Sequence, residues 1–226
     1  VGFDVVPTDC LAAHLHTRLP SATHLALAFR SVGSTWSRGT MNTMVEGIDR
    51  LGAVRQQGKI RQVPAAWKTR AIDFGRGPVA CVTIPWGDVA TAFYSTGIPN
   101  IEVYAVFPAA LRRGLVASRW LGGLLATAPM QRLLKRAIGA GAPGPSAAQR
   151  SQGFSLVWGE VRDDQGQARV SRLRTPEGYE LTTHTALAAV RRVLAGETPA
   201  GFLTPSRAFG ADFIMQIPGV EREDLA

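Results

Sequence analysis

The spacing of apolar residues changes period several times along this chain, and each change predicts an element. Leu11, Leu15 and Leu19 recur at helical spacing behind Pro7, so a helix is expected after a loop over residues 2–9, with Thr8 or Asp9 as its cap. Over residues 24–30 the period drops to two, with Leu25, Leu27 and Phe29 on one face of a strand. A Gly/Ser/Thr-rich loop at 33–40 leads into Met41, Met44, Val45 and Ile48, a helical pattern ending near Gly52. Residues 54–63 read as a hairpin about Gly58. Residues 69–74 and 79–84 read as two strands joined through Gly75-Arg76-Gly77-Pro78. Pro85 and Trp86 open a helix that ends at Gly97, and 100–107 is a strand, apolar at Ile101, Val103 and Ala105.

Residues 109–138 form a long basic helical stretch, with breaks expected at Gly122-Gly123 and Pro129. A Gly/Pro/Ala-rich linker covers 139–146. A hairpin follows, 154–161 and 168–173, across Asp163-Asp164-Gln165-Gly166. Pro176-Glu177-Gly178 is a turn, 182–195 a helix capped by threonines, and 201–217 a mixed tail. This order predicts an α+β fold, a mixed, mostly antiparallel sheet with helices packed on one face. It contains no internal repeat, no regular βαβαβ run and no G-x-G-x-x-G after a strand, so the sequence offers no phosphate cradle for a dinucleotide. Residues 1–226 are expected to form one domain, with 109–150 a basic helical insertion and linker within it.

Composition narrows the class. With 46% apolar residues the chain can bury a sizeable core, and it has no spanning run of about 18 uncharged apolar residues. Cys10 and Cys81 stand far apart in no metal or redox spacing, which suggests reduced thiols in a cytoplasmic protein. The opening Val1-Gly2-Phe3-Asp4 reads as the end of a strand entering a loop, the pattern of a fragment or a processed product. The net charge of +8 is local: no acid lies between Glu102 and Glu160, a stretch holding Arg112, Arg113, Arg119, Arg132, Lys135, Arg136 and Arg150. Charge so concentrated points to an anionic ligand or surface nearby.

Several residues are candidates for chemistry. Gly39 and Thr40 stand where free backbone N–H groups and the helix dipole favour a carboxylate or phosphate. Ser37, Arg38 and Thr40 would add hydroxyl and guanidinium contacts, although Ser37 or Thr40 could equally serve as a helix cap. Trp36 lies inside the same loop, whereas Trp67, Trp86, Trp120 and Trp158 are scattered, as core or interface residues are. Asp4 at a cleft could orient a hydroxyl or relay a proton, or else stabilise the turn; Asp9 reads more simply as a cap. His14 and His16 are two apart and do not share a helical face, His24 begins a strand and His184 opens a helix, so no metal site is expected. In the basic stretch Arg132, Lys135 and Arg136 share one helical face, with Leu133, Leu134 and Ile138 toward another. Such a helix suits an anionic membrane or a lipid-like acidic substrate, or equally a solvated helix or a dimer arm. Nucleic acid is not an expected partner, for there is no recognised motif and little aromatic interleaving.

Three segments, in order, resemble a known family. Residues 1–9, Val-Gly-Phe-Asp-Val-Val-Pro-Thr-Asp, resemble the G-F-D-S-x-P-x-D signature of saccharopine dehydrogenase-like oxidoreductases, with Val5 where the family has Ser. Residues 38–43, Arg-Gly-Thr-Met-Asn-Thr, are similar to its S-G-G-T-x-x-S element, and residues 204–210, Thr-Pro-Ser-Arg-Ala-Phe-Gly, to its T-P-x-x-A-F-G element. The resemblance implies a Rossmann domain upstream of Val1 that holds NAD or NADP, no metal, and an active site in the cleft between the two domains. This chain would then be the substrate-binding and dimerisation part, inactive without its cofactor domain, with Asp4 catalytic and Trp36, Ser37, Arg38, Gly39 and Thr40 binding a small, acidic or lipid-like substrate. The expected state is a cytoplasmic homodimer. The alternative is a non-catalytic lipid- or membrane-surface-binding module, peripheral to a membrane.

Overall fold

The computed structural model describes residues 1–47 and 52–225, and the side chains of 121 and 122 lie outside that description. The helices are α1 (Val6–Arg18), α2 (Arg38–Glu46), α3 (Asp88–Thr96), α4 (Ala109–Leu125), α5 (Ala128–Ala140), α6 (Ala147–Gln152), α7 (Gly178–Leu194) and α8 (Pro205–Phe209), with a 3₁₀ turn at Phe213–Gln216. The strands are β1 (His24–Val32), β2 (Gly52–Gln56), β3 (Lys59–Val63), β4 (Thr69–Asp73), β5 (Pro78–Thr83), β6 (Asn100–Val106), β7 (Phe154–Arg162), β8 (Ala168–Pro176) and β9 (Glu221–Leu225).

They form one mixed, mostly antiparallel sheet in the order β3-β2-β6-β1-β7-β8-β9. The parallel pair is β1 with β6, in register from His24↔Asn100 to Phe29↔Ala105. On its other edge β6 pairs first with β2, at Arg55↔Ile101, and then with β5, at Cys81↔Val106 through Thr83↔Tyr104. Two hairpins, β2–β3 and β4–β5, thus share that edge.

The period of two sorts the sheet's side chains between its faces. Leu25, Leu27, Ile101, Val103, Val157, Val161 and Leu173 meet α1, α3, α7 and the 3₁₀ turn in the larger core. Ala28, Tyr104, Leu156 and Trp158 face the other way, where Ile72, Phe74 and Cys81 of the β4–β5 hairpin cover them. Cys10 and Cys81 therefore lie in different cores as buried free thiols, and burial pushes the Cys81 thiol up to about 11. Gly159 lets α1 approach: a Cβ there would sit 2.6 Å from Leu15 Cδ1.

Several elements differ from expectation. α1 begins at Val6, so Thr8 and Asp9 are buried inside its first turn and neither caps it. α7 begins at Gly178, capped by the Glu177 carboxylate through the Tyr179 and Glu180 N–H groups; the threonines at 182, 183 and 185 bond back to helix carbonyls instead. α4 runs through the Gly122-Gly123 pair, whereas the break expected at Pro129 is present: α4 ends at Leu125 and α5 begins at Ala128, with Pro129 in a first turn that needs no N–H donor there. Within the expected linker region, Ser146 and Gln149 form a capping box that starts α6. Strand β9, all polar apart from Leu225, carries no apolar signal; it is an edge strand held by Arg18 to the Leu225 carbonyl and by Ser171 and His14 to Asp224. The expected helical residue Ile48 lies outside the described residues. No helix among the described residues is long and apolar enough to cross a membrane.

Candidate functional site

The parallel pair β1–β6 gives the sheet one end at which two strand carboxyl termini lie side by side, the place where open α/β sheets collect their ligand-binding loops. Aromatic residues gather near this end. Phe29, near the end of β1, packs edge-on against Phe3 at 5.4 Å and at a tilt against Trp86 at 4.7 Å between ring centres. Trp36, in the loop after β1, meets Phe107, just after β6, edge-on at 5.2 Å. These rings, half-buried apart from the buried Phe107, form an apolar wall bridging two of the cores.

Asp4, one residue after Phe3, is exposed, and its carboxylate lies against Gly87, the residue after Trp86. A Cβ on Gly87 would lie 2.7 Å from both Asp4 Oδ1 and Val5 Cγ1, so only glycine leaves the carboxylate its place beside Trp86. Partial burial raises the Asp4 pKa above the ordinary carboxylate value. The Trp86 Nε1–H is buried and has no hydrogen-bond partner among the described residues. A carboxyl with a raised pKa therefore lies near one apolar surface, an arrangement that can receive a polar atom of a largely apolar ligand.

The second group of candidates lies close by. Phe3 donates its N–H to Thr182 and packs on Gly178, which places Asp4 next to the start of α7. Tyr179, one residue on, accepts the Ser37 N–H at 2.8 Å and lies 3.1 Å from Thr40 Oγ1. Ser37 caps α2 by accepting the Thr40 N–H at 3.2 Å. Gly39 and Thr40 are exposed at this helix start. Arg38 turns away to α5: its backbone N–H donates to the Pro143 carbonyl and its Nη2 to the Gly141 carbonyl at 2.5 Å. Tyr179 and Glu177, which accepts the Ser34 hydroxyl at 2.7 Å, escaped the sequence reading because a Pro-Glu-Gly-Tyr stretch signals a turn before it signals a cap.

Behind Asp4 lie two more carboxyls. Asp9 accepts the Ser206 N–H at 2.7 Å and the Ser95 hydroxyl, and Ser95 lies 2.6 Å from the Thr204 hydroxyl. The first and last family-like segments thus meet through one side chain. Asp88, fully buried, lies 2.7 Å from Thr8 Oγ1, which is also 3.0 Å from the Val5 carbonyl. The Thr8 hydroxyl has one proton to share between these two acceptors, the Asp88 carboxyl and the Val5 carbonyl. Burial, opposed by the Thr8 bond and reinforced by the charges of Asp9 and Asp4, holds the Asp88 pKa well above its ordinary value. Burial also raises Asp9, against the bonds from Ser95, Ser206 and Thr204.

The pH consequence has a definite sign. Above the unfolded value of 3.8 the unfolded chain releases the Asp88 proton while the folded chain keeps it, so stability is full below that value and falls as pH rises toward the raised folded one. The slope for one such group is about 1.4 kcal/mol per pH unit within that window. Asp88→Asn cannot ionise. It is expected to melt above the parent at about pH 8 and close to it at about pH 4, as read by thermal unfolding across pH. A parallel pH profile for variant and parent would show that Asp88 is not the group.

The histidines lie elsewhere: His14 pairs with Asp224 at 2.9 Å, His24 with Thr23, and half-buried His184 with Glu180 one turn away. Among the described residues no group of three or more His, Cys, Asp or Glu side chains is placed to hold a metal ion.

No protein-family model matches the sequence, and no curated protein matches it by sequence. A solved structure does match by fold: apo saccharopine dehydrogenase (L-Glu forming) from Saccharomyces cerevisiae, at a TM-score of 0.55 and 11% identity, over 99% of this chain and 72% of that one. The chain shares that enzyme's fold.

Proposed function

We propose that this chain is the substrate-binding part of a saccharopine dehydrogenase-like oxidoreductase, working with a nicotinamide cofactor held mainly by another domain. The observation that carries this reading is the fold likeness to a dehydrogenase across nearly the whole chain. Its own residues do not fit a whole dinucleotide. The loop from β1 to α2 offers Ser37 as an ordinary cap and no glycine-rich phosphate turn. A nicotinamide bound next to this sheet end would supply the hydride.

The chain's contribution is placement and proton handling. The Phe3, Phe29 and Trp86 wall excludes water and positions the acceptor, a carbonyl, imine or unsaturated carbon. Asp4, its pKa raised by burial, holds the proton that the reduced acceptor requires. Gly39 and Thr40, held at the start of α2 by Tyr179 and the Ser37 cap, receive an anionic end of the substrate, and Arg38 holds that helix start against α5. A homodimer of such subunits is part of the same proposal.

The test is steady-state oxidation of NADH and NADPH by the product of the complete reading frame. Acceptors would be 2-oxo acids with and without amines, and α,β-unsaturated thioesters. With an accepted substrate, Asp4→Asn is expected to lower kcat about a hundredfold with little change in KM. A variant with unchanged kcat removes Asp4 from the chemistry.

A further inference from the structure

The α4–α5 segment presents a surface that the site does not use. α4 is anchored on its inner side by Leu111 and Leu115, which pack with Phe107, Val82 and Ala105, and by Arg119, whose guanidinium donates to the Ala65 and Ala66 carbonyls. α5 is anchored on α2, through Lys135 to Glu46 at 2.7 Å and through Arg38 to Gly141. The outer side is different. Val116, Trp120 and Leu124 follow one another at four-residue spacing, 37%, 88% and 59% exposed, and Leu133 on α5 is 61% exposed. In contrast to the sequence expectation, Leu133 is outward with Arg132 and Arg136, while Leu134 and Ile138 are half-buried.

Charge decides what such a face fits. Arg113, Arg132 and Arg136 are exposed and form no ion pair among the described residues, and no acid lies between Glu102 and Glu160 to offset them. An exposed indole beside exposed leucines, flanked by arginines on aliphatic stems, matches the bilayer interface. There the ring lies at headgroup depth, leucines enter the acyl boundary, and guanidinium groups reach back to lipid phosphates. A soluble acidic protein would satisfy the arginines but gives no reason for a Trp-Leu stripe left in water.

We infer that the outer face of α4 and α5, with Trp120, Leu124 and Leu133 inserted and Arg113, Arg132 and Arg136 above them, docks this protein on an anionic membrane surface. This is independent of the proposed chemistry, and each can fail alone.

Vesicle flotation tests it, with phosphatidylcholine alone and phosphatidylcholine containing phosphatidylglycerol, at low and high salt. Binding is expected only to the anionic vesicles and is expected to be lost at high salt. Each arginine near the surface contributes about fivefold, so the Arg113→Gln, Arg132→Gln, Arg136→Gln triple variant should bind at least about tenfold more weakly. Trp120→Ser with Leu124→Ser should also lose about tenfold while keeping the parent's melting temperature, because both side chains are exposed. Should the serine variant melt lower, Trp120→Phe against Trp120→Ser isolates the apolar contribution. No binding to anionic vesicles at low salt, equal binding to neutral ones, or full binding by the serine variant would overturn the inference.

Discussion

Asp9→Ala should destabilise the fold by about 3 kcal/mol, the combined loss of charge-assisted bonds and the orphaning of a buried donor. Asp9 lies inside the first turn of α1 and joins three elements: its own helix, α3 through Ser95, and α8 through the Ser206 N–H and the nearby Thr204 hydroxyl. Removing the carboxylate leaves the buried Ser206 N–H without an acceptor and frees the chain end from the core. A chain of this size shifts its melting temperature by roughly 2–4 °C per kcal/mol, so a fall of about 9 °C is expected in thermal unfolding. Asp9→Asn keeps one oxygen to accept the Ser206 N–H and should lose less. Equal losses for Ala and Asn would mean that the second oxygen, and with it Ser95, carries the effect.

Gly159→Val should be about as damaging, at about 3 kcal/mol, for the opposite reason. The position is central in β7 and faces α1, where an added Cβ would sit 2.6 Å from Leu15 Cδ1 and 3.1 Å from Leu11 Cδ2. Both leucines are fully buried, so α1 must lift from the sheet, and overpacking of this kind typically costs about 1–3 kcal/mol, at the upper end for a branched side chain. Gly114 on α4 provides the contrast, since a Cβ there meets nothing within 4 Å. Gly114→Ala should therefore stabilise by about 0.5–1 kcal/mol through helix propensity alone. Chemical denaturation of the pair checks both signs. A Gly159→Val variant as stable as the parent would mean that α1 does not lie where the structure places it.

Period and turn chemistry made much of this fold legible. The strands at His24–Val32 and Asn100–Val106, the three hairpins and the α+β arrangement follow from alternating apolar residues and glycine turns. What the local pattern hides is tertiary. β9 is almost wholly polar and exists because β8 has an open edge and Arg18 and Ser171 reach it. Asp9 looked like a cap because Asp near a helix start usually is one, and only its contacts to Ser95 and Ser206 show it as a knot between distant segments. Ser37 was legible as a cap or a ligand and serves as a cap, while its tie to Tyr179 spans 142 positions and leaves no trace in local spacing. Asp88 gave no signal, since full burial of an acid at a helix start depends on what packs over it. Asp4 was visible because a short signature surrounds it, and nearby Trp86 was one scattered tryptophan among several until its contact with Phe29 placed it on the wall.

The central claim is that this chain provides the acceptor side of a site whose nicotinamide is held elsewhere. Its most direct test is a titration of NADH and NADPH, by energy transfer from tryptophan, into the product of the complete reading frame and, in parallel, into residues 1–226 alone. Saturable binding by the first and none by the second is the predicted result. Equal binding by both, or binding by neither, would contradict it.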